Sequence, residues 1–391
     1  MNKSPLLDTS LSTVSAGFIT VLVGVASSAA IVFEAARAAG ADQLMTGSWI
    51  GALGLGMGLT CIAFSWYYRA PVITAWSTPG AALLATSLTG IPIAEAIGAF
   101  VCSAILTLLV GLSGAFDRVN RLVPTPIASA MLAGILLQFG LSVFTSLQAQ
   151  PILVGAMSLT YIVGRRWAPR YAILLVLMVG VSACWKLQLI SFDQIHWQAA
   201  QPVWVTPEFR LSTLIGIGLP LFIVTMTSQN LPGAATLAAS GYGRVPISPV
   251  ISGTGLASLL LTPFGGFAFN LAAITAAICT GPEAHPNPDK RYTAGIAAGI
   301  FYLIVGLCGA SVVALFSAFP QELIAGLAGL ALIGVIGNSL ASATAEAEHR
   351  EAAIITFLVS ASGISLFGVS SAFWGLLGGL ACYWLFNRRS S

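Results

Sequence analysis

The sequence predicts an all-α polytopic membrane protein of about 14 transmembrane segments in two inverted repeats of seven. Three observations carry that prediction. Of 391 residues, 57% are hydrophobic and only 7% are charged, against about a quarter charged in a soluble protein. Long apolar stretches recur from Val14 to Phe386. Two apolar segments, one in each half, are interrupted in the same way by Gly and Pro. The 41 glycines suit close helix packing in lipid.

Taken in order, the first half gives spans near 13–38 and 46–67, a broken one at 71–88, then 92–112, 123–144, 150–164 and 171–190. A polar stretch from Ser191 to Phe209, with Asp193, His196, Pro202, Pro207 and Glu208, separates the halves. The second half gives spans near 211–238 and 246–262, a broken one at 264–282, then 292–317, 321–341, 352–368 and 370–387. Seven is odd, so the second half sits upside down relative to the first, about a pseudo-two-fold axis in the membrane plane. The expected units are 1–190 for the first repeat, 191–209 for a periplasmic connector and 210–391 for the second repeat.

Charge fixes the orientation. Basic residues fall in alternate loops: Arg69, then Arg118 and Arg121, then Arg165, Arg166 and Arg170, then Arg244, then Lys290 and Arg291, then Arg350, then Arg388 and Arg389. With Lys3 these are 13 of the 16 Lys and Arg, and only Arg37, Lys186 and Arg210 fall on the other side. The positive-inside rule then places both termini in the cytoplasm, which needs an even number of spans. No small-residue cleavage pattern follows Val14–Ala30, so that segment reads as the first span and not as a removed signal. The six cysteines stand singly in apolar runs, without a CxxC or Cys/His cluster. Neither a metal nor a cofactor is expected, and no nucleic-acid partner.

The broken segments are the expected site. One reads Ala75-Trp76-Ser77-Thr78-Pro79-Gly80-Ala81-Ala82-Leu83-Leu84; the other reads Ala268-Phe269-Asn270-Leu271-Ala272-Ala273-Ile274, after Pro263-Phe264-Gly265-Gly266. Setting Ala81-Ala82-Leu83 on Ala272-Ala273-Ile274 gives a repeat offset of 191 residues. Paired interrupted segments of this kind mark transporter binding sites. Each half-helix N-terminus carries about half a positive charge and free N–H groups, which favours an anion. The expected donors are the backbone from Thr78 through Gly80 to Ala81 and from Asn270 through Leu271 to Ala272, with the Ser77, Thr78 and Asn270 side chains. Trp76, Phe267 and Phe269 flank the breaks, as walls for a flat apolar body or as packing against neighbouring helices. The first span of each half adds Ser27 and Ser28, and Gln229 and Asn230. These are ligand contacts or interhelical hydrogen bonds.

Ionisable residues are few. Glu34 and Arg37 lie three apart near the end of the first span and can pair on one helix face. Glu95 and Glu322 stand at span starts, where a carboxylate suits the helix dipole. The broken segments hold no carboxylate, which argues against a cation site. Glu283 and His285 lie in the densest charged stretch, Thr280–Tyr292. His285 can titrate near neutral pH and relay a proton, the alternative being a solvated loop; His196 and His349 read as loop residues. The proton-coupling candidates are Glu283, His285 and Glu34.

These residues resemble one family. The run Thr74–Leu84, the run Pro263-Phe264-Gly265-Gly266 through Asn270 to Ile278, Thr280-Gly281-Pro282-Glu283-Ala284-His285 and Arg291-Tyr292-Thr293-Ala294-Gly295 are similar to stretches of the bacterial benzoate:proton symporter family, BenE-type. The resemblance covers essentially the full length. More distantly the chain resembles the nucleobase:proton symporters and the sulfate and bicarbonate transporters. That resemblance implies short extended stretches leading into half-helices in segments 3 and 10. It also implies a core domain from 13–112 and 211–317, a gate domain from 123–190 and 321–387, and a site between Ser77–Ala81 and Phe269–Ala272, beside span eight. The nucleobase symporters place a substrate-binding Glu in span eight. Here Gln229 or Asn230 stands there, which suits a carboxylate that a Glu would repel.

The expectation is a secondary active transporter of the bacterial inner membrane. It would carry benzoate or a similar aromatic carboxylate with a proton, by alternating access. Its partners would be that small anion, the proton and membrane lipid, with a homodimer left open. The residues also leave open another organic or inorganic anion, or a nucleobase-like solute, on the same fold. A channel or an intramembrane enzyme is a further reading, though no HExxH, GxSxG or paired-carboxylate constellation supports an enzyme.

Overall fold

A computed structural model of the chain describes residues 5–116, 118, 123–169, 171–190, 198–273 and 275–387. Lys3, Arg121, Arg170, Asp193, His196, Ile274, Arg388 and Arg389 lie outside the described residues. The apolar runs form helices because lipid offers no water to satisfy a bare backbone. A helical turn at Pro5–Asp8 precedes α1 (Leu11–Ala38), which starts from a Ser10–Thr13 capping box, and α2 (Gln43–Tyr68), capped by Asp42. Strand β1 (Thr74–Trp76) then leads into the half-helix α3 (Thr78–Ser87). Helices α4 (Ile93–Ser113), α5 (Thr125–Ala149), α6 (Pro151–Trp167) and α7 (Ala172–Lys186) complete the first half.

The second half begins with α8 (Leu211–Tyr242) and α9 (Ile247–Phe264). Strand β2 (Phe269–Leu271) and the short α10 (Ala276–Thr280) follow. The chain ends with α11 (Tyr292–Leu307), α12 (Gly309–Ser317), α13 (Gln321–Thr344), α14 (Arg350–Ala361) and α15 (Ser371–Asn387).

Seven of these helices are long and apolar enough to cross a membrane, or eight when the bent pair α11–α12 counts as one span with a 66° bend. The chain is an all-α multi-pass membrane protein. Helix length does not establish fourteen crossings. α6, α7, α14 and α15 lie at or below the short end of the crossing range, and the two broken elements do not cross as helices. The stretch expected at 352–368 stops as a helix at Ala361, because Gly363, Phe367 and Gly368 take left-handed backbone conformations.

The packing shows the inverted repeat. α2 lies along α11 as α4 lies along α9. α1 packs on α3 and α11, and α8 packs on α10 and α4. α6 pairs with α7 as α14 pairs with α15, while α5 and α13 pack on each other. Small residues let the paired helices approach. A Cβ on Gly54 would stand 2.4 Å from the Gly306 Cα, and one on Gly111 would stand 2.4 Å from the Ser252 nitrogen, the close packing that helices in lipid use in place of a hydrophobic drive.

The strands cross at the centre as an antiparallel pair, Thr74 opposite Leu271, Ala75 opposite Asn270 and Trp76 opposite Phe269. The two-fold therefore passes between Ala75 and Asn270, and the repeat offset is 195 residues (270 minus 75). The 191-residue offset is corrected by this register. Ala81 and Ala82 lie inside α3, whereas Ala272 and Ala273 belong to the link between β2 and α10. The two Ala-Ala tracts match in composition and not in place. Before β2, Gly265 turns the chain at φ +88°, with the Trp49 ring where any Cβ would go.

Helix α8 is loosened three times, by wide π-turns at Leu214–Gly218, Met226–Asn230 and Ala238–Tyr242. Two precede prolines. Pro220 and Pro232 offer no N–H and their rings crowd the turn before them. The backbone bridges both places with longer bonds, Leu219 N–H to Leu214 O and Leu231 N–H to Met226 O. The Gly216 carbonyl, four residues before Pro220, accepts instead from the Ser370 hydroxyl.

The described part of the connector, 198–209, lies extended across the core helix ends. Its amides donate to Ser311 Oγ, Leu307 O, Ser48 Oγ, Pro263 O and Ala94 O, from Gln198, Ala200, Val203, Val205 and Glu208 in turn. Glu95, expected at a solvated helix start, is buried there: it accepts from Thr213 Oγ1 at 2.7 Å and pairs with Arg210 at 3.4 Å.

Candidate functional site

The strand pair is held from both repeats by equivalent bonds. The Thr74 N–H donates to Cys61 Sγ on α2 at 3.2 Å, and the Phe269 N–H donates to Ser258 Oγ on α9 at 3.0 Å. Beside β1, Trp76 Nε1 donates to Ser28 Oγ on α1 at 2.8 Å, and Ser28 Oγ donates on to Gly24 O. Beside β2, the Leu271 N–H donates to Asn230 Oδ1 on α8 at 3.0 Å. Irregular backbone at membrane depth persists only where protein satisfies it in this way.

A cavity of about 770 Å³ lies against this pair. One wall comes from α1, β1, the start of α3, the middle of α8, the β2–α10 link and Tyr302 of α11. The opposite wall comes from the first turns of α5, the end of α6, the start of α7 and the second half of α13. Among the described residues the lining is mostly apolar, with hydroxyls and amides spaced around it and a single charged side chain, Arg165.

The structure separates the sequence-predicted residues into two groups. Ser28, Trp76, Thr78, Gln229 and Ala272 line the cavity, with Ser27 and Pro79. Ser77, Gly80, Ala81, Asn230, Phe267, Phe269, Asn270 and Leu271 stand behind it. Ser77 caps α3 by accepting from the Gly80 N–H, and its hydroxyl also takes a bond from Thr225. Ala81 N–H is used by Ser77 O, and Ala272 N–H by Ile73 O. Most donors expected for a ligand are therefore spent on the fold, and at α3 the polar group facing the cavity is Thr78.

The neighbouring amides Gln229 and Asn230 divide in the same way. Asn230 is buried and braces β2, whereas Gln229 faces the cavity with no hydrogen bond to another described residue. The π-turn at Met226–Asn230 places Thr227, Ser228 and Gln229 on the cavity side in succession. Of the three aromatics, only Trp76 forms a wall. Phe267 packs in a cluster with Trp49 and Phe100, and Phe269 packs over Gly56 of α2. Asn270 is fully buried, with Nδ2 donating to Ala268 O and Oδ1 unpaired.

The proton-coupling candidates lie away from the cavity. Glu34 forms an exposed pair with Arg37 at 3.9 Å. Glu283 is exposed, and the His285 ring is bonded within its own loop to Asn287. That loop is tied by Arg291 to the Thr280, His285 and Pro286 carbonyls. No cluster of His, Cys, Asp and Glu fit to hold a metal occurs among the described residues.

Comparison with known proteins decides the family. The model of the family described as "Benzoate membrane transport protein" matches residues 7–385. The chain belongs to this family. It is 46% identical over 375 residues to inner membrane protein YdcO of Escherichia coli, covering 96% of each chain. It is 43% identical over 378 residues to a benzoate membrane transport protein of Acinetobacter baylyi, covering 97% of this chain and 96% of that one. It is a multi-pass membrane transporter and not an enzyme.

Among solved structures, the transmembrane domain of a cyanobacterial bicarbonate transporter, BicA, is similar with a TM-score of 0.63 at 16% identity, over 95% of this chain and 97% of that one. The anion transporter murine Slc26a9, in its inward-facing state, is similar with a TM-score of 0.55 at 13% identity, over 96% of this chain and 68% of that one. These likenesses are of fold, and they agree with the inverted repeat seen in the helix pairing.

Sequence reasoning missed the far wall of this transporter's cavity. Arg165 reads in sequence as one more cytoplasmic-loop cation, but α6 continues to Trp167 and carries it. Asn338 and Ser342 lie four apart in the second half of a largely apolar helix, which puts them on one face. That spacing was the available signal.

Proposed function

We propose that this protein is a proton-coupled symporter of benzoate or a similar aromatic carboxylate in the bacterial inner membrane. The observation that carries the reading is the cavity itself. It sits where the two repeats meet, walled by the Trp76 ring, with Thr78 at the α3 N-terminus and Gln229 as neutral polar contacts and no carboxylate among the described residues of its lining. A helix N-terminus favours a negative ligand, and an aromatic and apolar wall suits a flat ring. The family and its 43%-identical relative named for benzoate support the same substrate.

A proton accounts for the energetics. A cytoplasm-negative potential opposes anion entry by about 2.3 kcal/mol per charge per 100 mV, so one proton per carboxylate makes uptake electroneutral. The cavity reaches the start of α5 and the ends of α6 and α13, beside the loops next to Arg118, the last turn of α6 with Arg165 and Arg166, and the start of α14 with Arg350. With those loops and both termini cytoplasmic, the cavity is open inward. The core, 13–112 with 211–317, then moves against the gate, 123–190 with 321–387, to alternate access.

The test is uptake of labelled benzoate by proteoliposomes under an imposed inward proton gradient. Accumulation that collapses with a protonophore is expected. Uptake indifferent to the gradient refutes the coupling, and no uptake refutes the substrate. A thermal-shift panel of other anions then finds the alternative.

A further inference from the structure

We propose that Arg165 is the carboxylate receptor on the far wall of the cavity, a binding residue separate from the contacts at α3; this rests on the anion-transport reading above. Arg165 lies in the last turn of α6 and is the single charged side chain among the described residues of the lining. Among the described residues, the lining of this cavity holds no acidic side chain to neutralise it.

Most of the other described arginines near helix ends are committed; Arg118 and Arg166 also lack a partner among the described residues, but neither lines the cavity. Arg37, Arg69, Arg210 and Arg244 each pair with a carboxylate. Arg291 and Arg350 donate to backbone carbonyls. Arg165 has neither an ion pair nor a hydrogen bond among the described residues. A guanidinium has five donors in a planar fork that matches a carboxylate two bonds at a time, and here the fork is uncommitted.

The opposite helix makes room for it. Arg165 Nη2 lies 3.8 Å from where a Cβ on Gly334 of α13 would stand. Gly334, Asn338 and Ser342 are spaced four apart and share a face, and Asn338 and Ser342 line the cavity. The guanidinium thus projects from α6 over a strip of α13 that bears no side chain at Gly334 and an amide and a hydroxyl in the next two turns. A carboxylate seated there meets a fixed cation flanked by neutral hydrogen-bonding groups. Its ring meets the apolar side chains of Leu332 and Val335. Thr78 and Gln229 stand on the other wall, so the cavity offers the anion two stations. The charged one belongs to the α6–α13 side, and it selects an ionised carboxylate over a neutral isostere.

The experiment compares benzoate with benzamide, its neutral isostere, for binding to the purified full-length protein by titration calorimetry. The parent, Arg165→Gln, Arg165→Lys and Gly334→Glu are measured, the last setting a carboxylate against the guanidinium without removing it. Expected are a loss of benzoate affinity of at least tenfold in Arg165→Gln and in Gly334→Glu, a smaller loss in Arg165→Lys, and no change in benzamide affinity. Parent-like benzoate affinity in a well-folded Arg165→Gln or Gly334→Glu protein overturns the assignment of Arg165 alone. Equal losses for benzoate and benzamide also overturn it, since they report shape and not charge. A parent that binds no benzoate overturns this inference together with the substrate reading on which it rests.

Discussion

Exchanging Asn230 and Gln229 in turn for Leu separates two adjacent amides that sequence alone treats as one. Asn230 is fully buried and its Oδ1 accepts the Leu271 N–H at 3.0 Å. Asn230→Leu keeps the number of side-chain heavy atoms and leaves that N–H without a partner in an apolar interior. An orphaned buried donor costs roughly 1–3 kcal/mol, which shifts the equilibrium between docked and detached β2 by about 5- to 150-fold. The expected result is a lower unfolding temperature in detergent and faster hydrogen exchange at Leu271, read by mass spectrometry on peptides covering 264–275. Gln229 has no such duty, since it bonds to no described residue and faces the cavity. Gln229→Leu should unfold like the parent and lose about fivefold in benzoate affinity, the worth of one neutral hydrogen bond of about 1 kcal/mol. Unchanged exchange at Leu271 in Asn230→Leu refutes the bracing role. A destabilised Gln229→Leu with parent-like affinity refutes the division between the two.

Three further outcomes follow from the packing. Gly54→Val forces a side chain into the Gly306 backbone, where even a Cβ stands at 2.4 Å; it should abolish monodisperse protein on size exclusion, since overpacking costs about 1–3 kcal/mol or more. Trp76→Phe keeps the wall but drops the 2.8 Å bond to Ser28; it should cost about 1 kcal/mol of stability, measured by thermal unfolding, with benzoate affinity within a few-fold of the parent. Thr213→Val removes the 2.7 Å donor to buried Glu95. A hydrogen bond to a charged group is worth about 1.5–3 kcal/mol, so the variant should unfold at a lower temperature and Thr213→Ser should recover most of the loss.

The architecture was legible because lipid imposes it. Low charge and long apolar runs follow directly from the cost of burying polar groups in hydrocarbon, and an odd number of elements per half forces inversion. Detail failed where sequence could not see a backbone bond. The Ala-Ala tracts at Ala81 and Ala272 suggested an offset of 191, but the ladder between Ala75 and Asn270 sets it at 195. A strand of three residues has too little pattern to announce itself. The π-turns of α8 were written only as Pro220 and Pro232, which sequence reads as breaks and which the helix absorbs by widening.

The site was half legible for a related reason. A polar residue in an apolar run announces that it needs a partner, but not whether that partner is the ligand or the fold. Ser77, Asn230 and Asn270 share the same composition signal as Thr78 and Gln229, yet the first three bond inward, Ser77 to cap α3 and the two asparagines to the backbone at β2. The two needs are linked. A crossing of short strands at membrane depth must first satisfy its own donors, and only the side chains left over can meet a substrate. In this chain the leftovers on the strand side are neutral, Thr78 and Gln229, and the charge sits across the cavity at Arg165. In the proposed cycle, an anion held between those walls is attracted from both the core and the gate, so its departure from the charged wall becomes a step that the motion of core against gate can control.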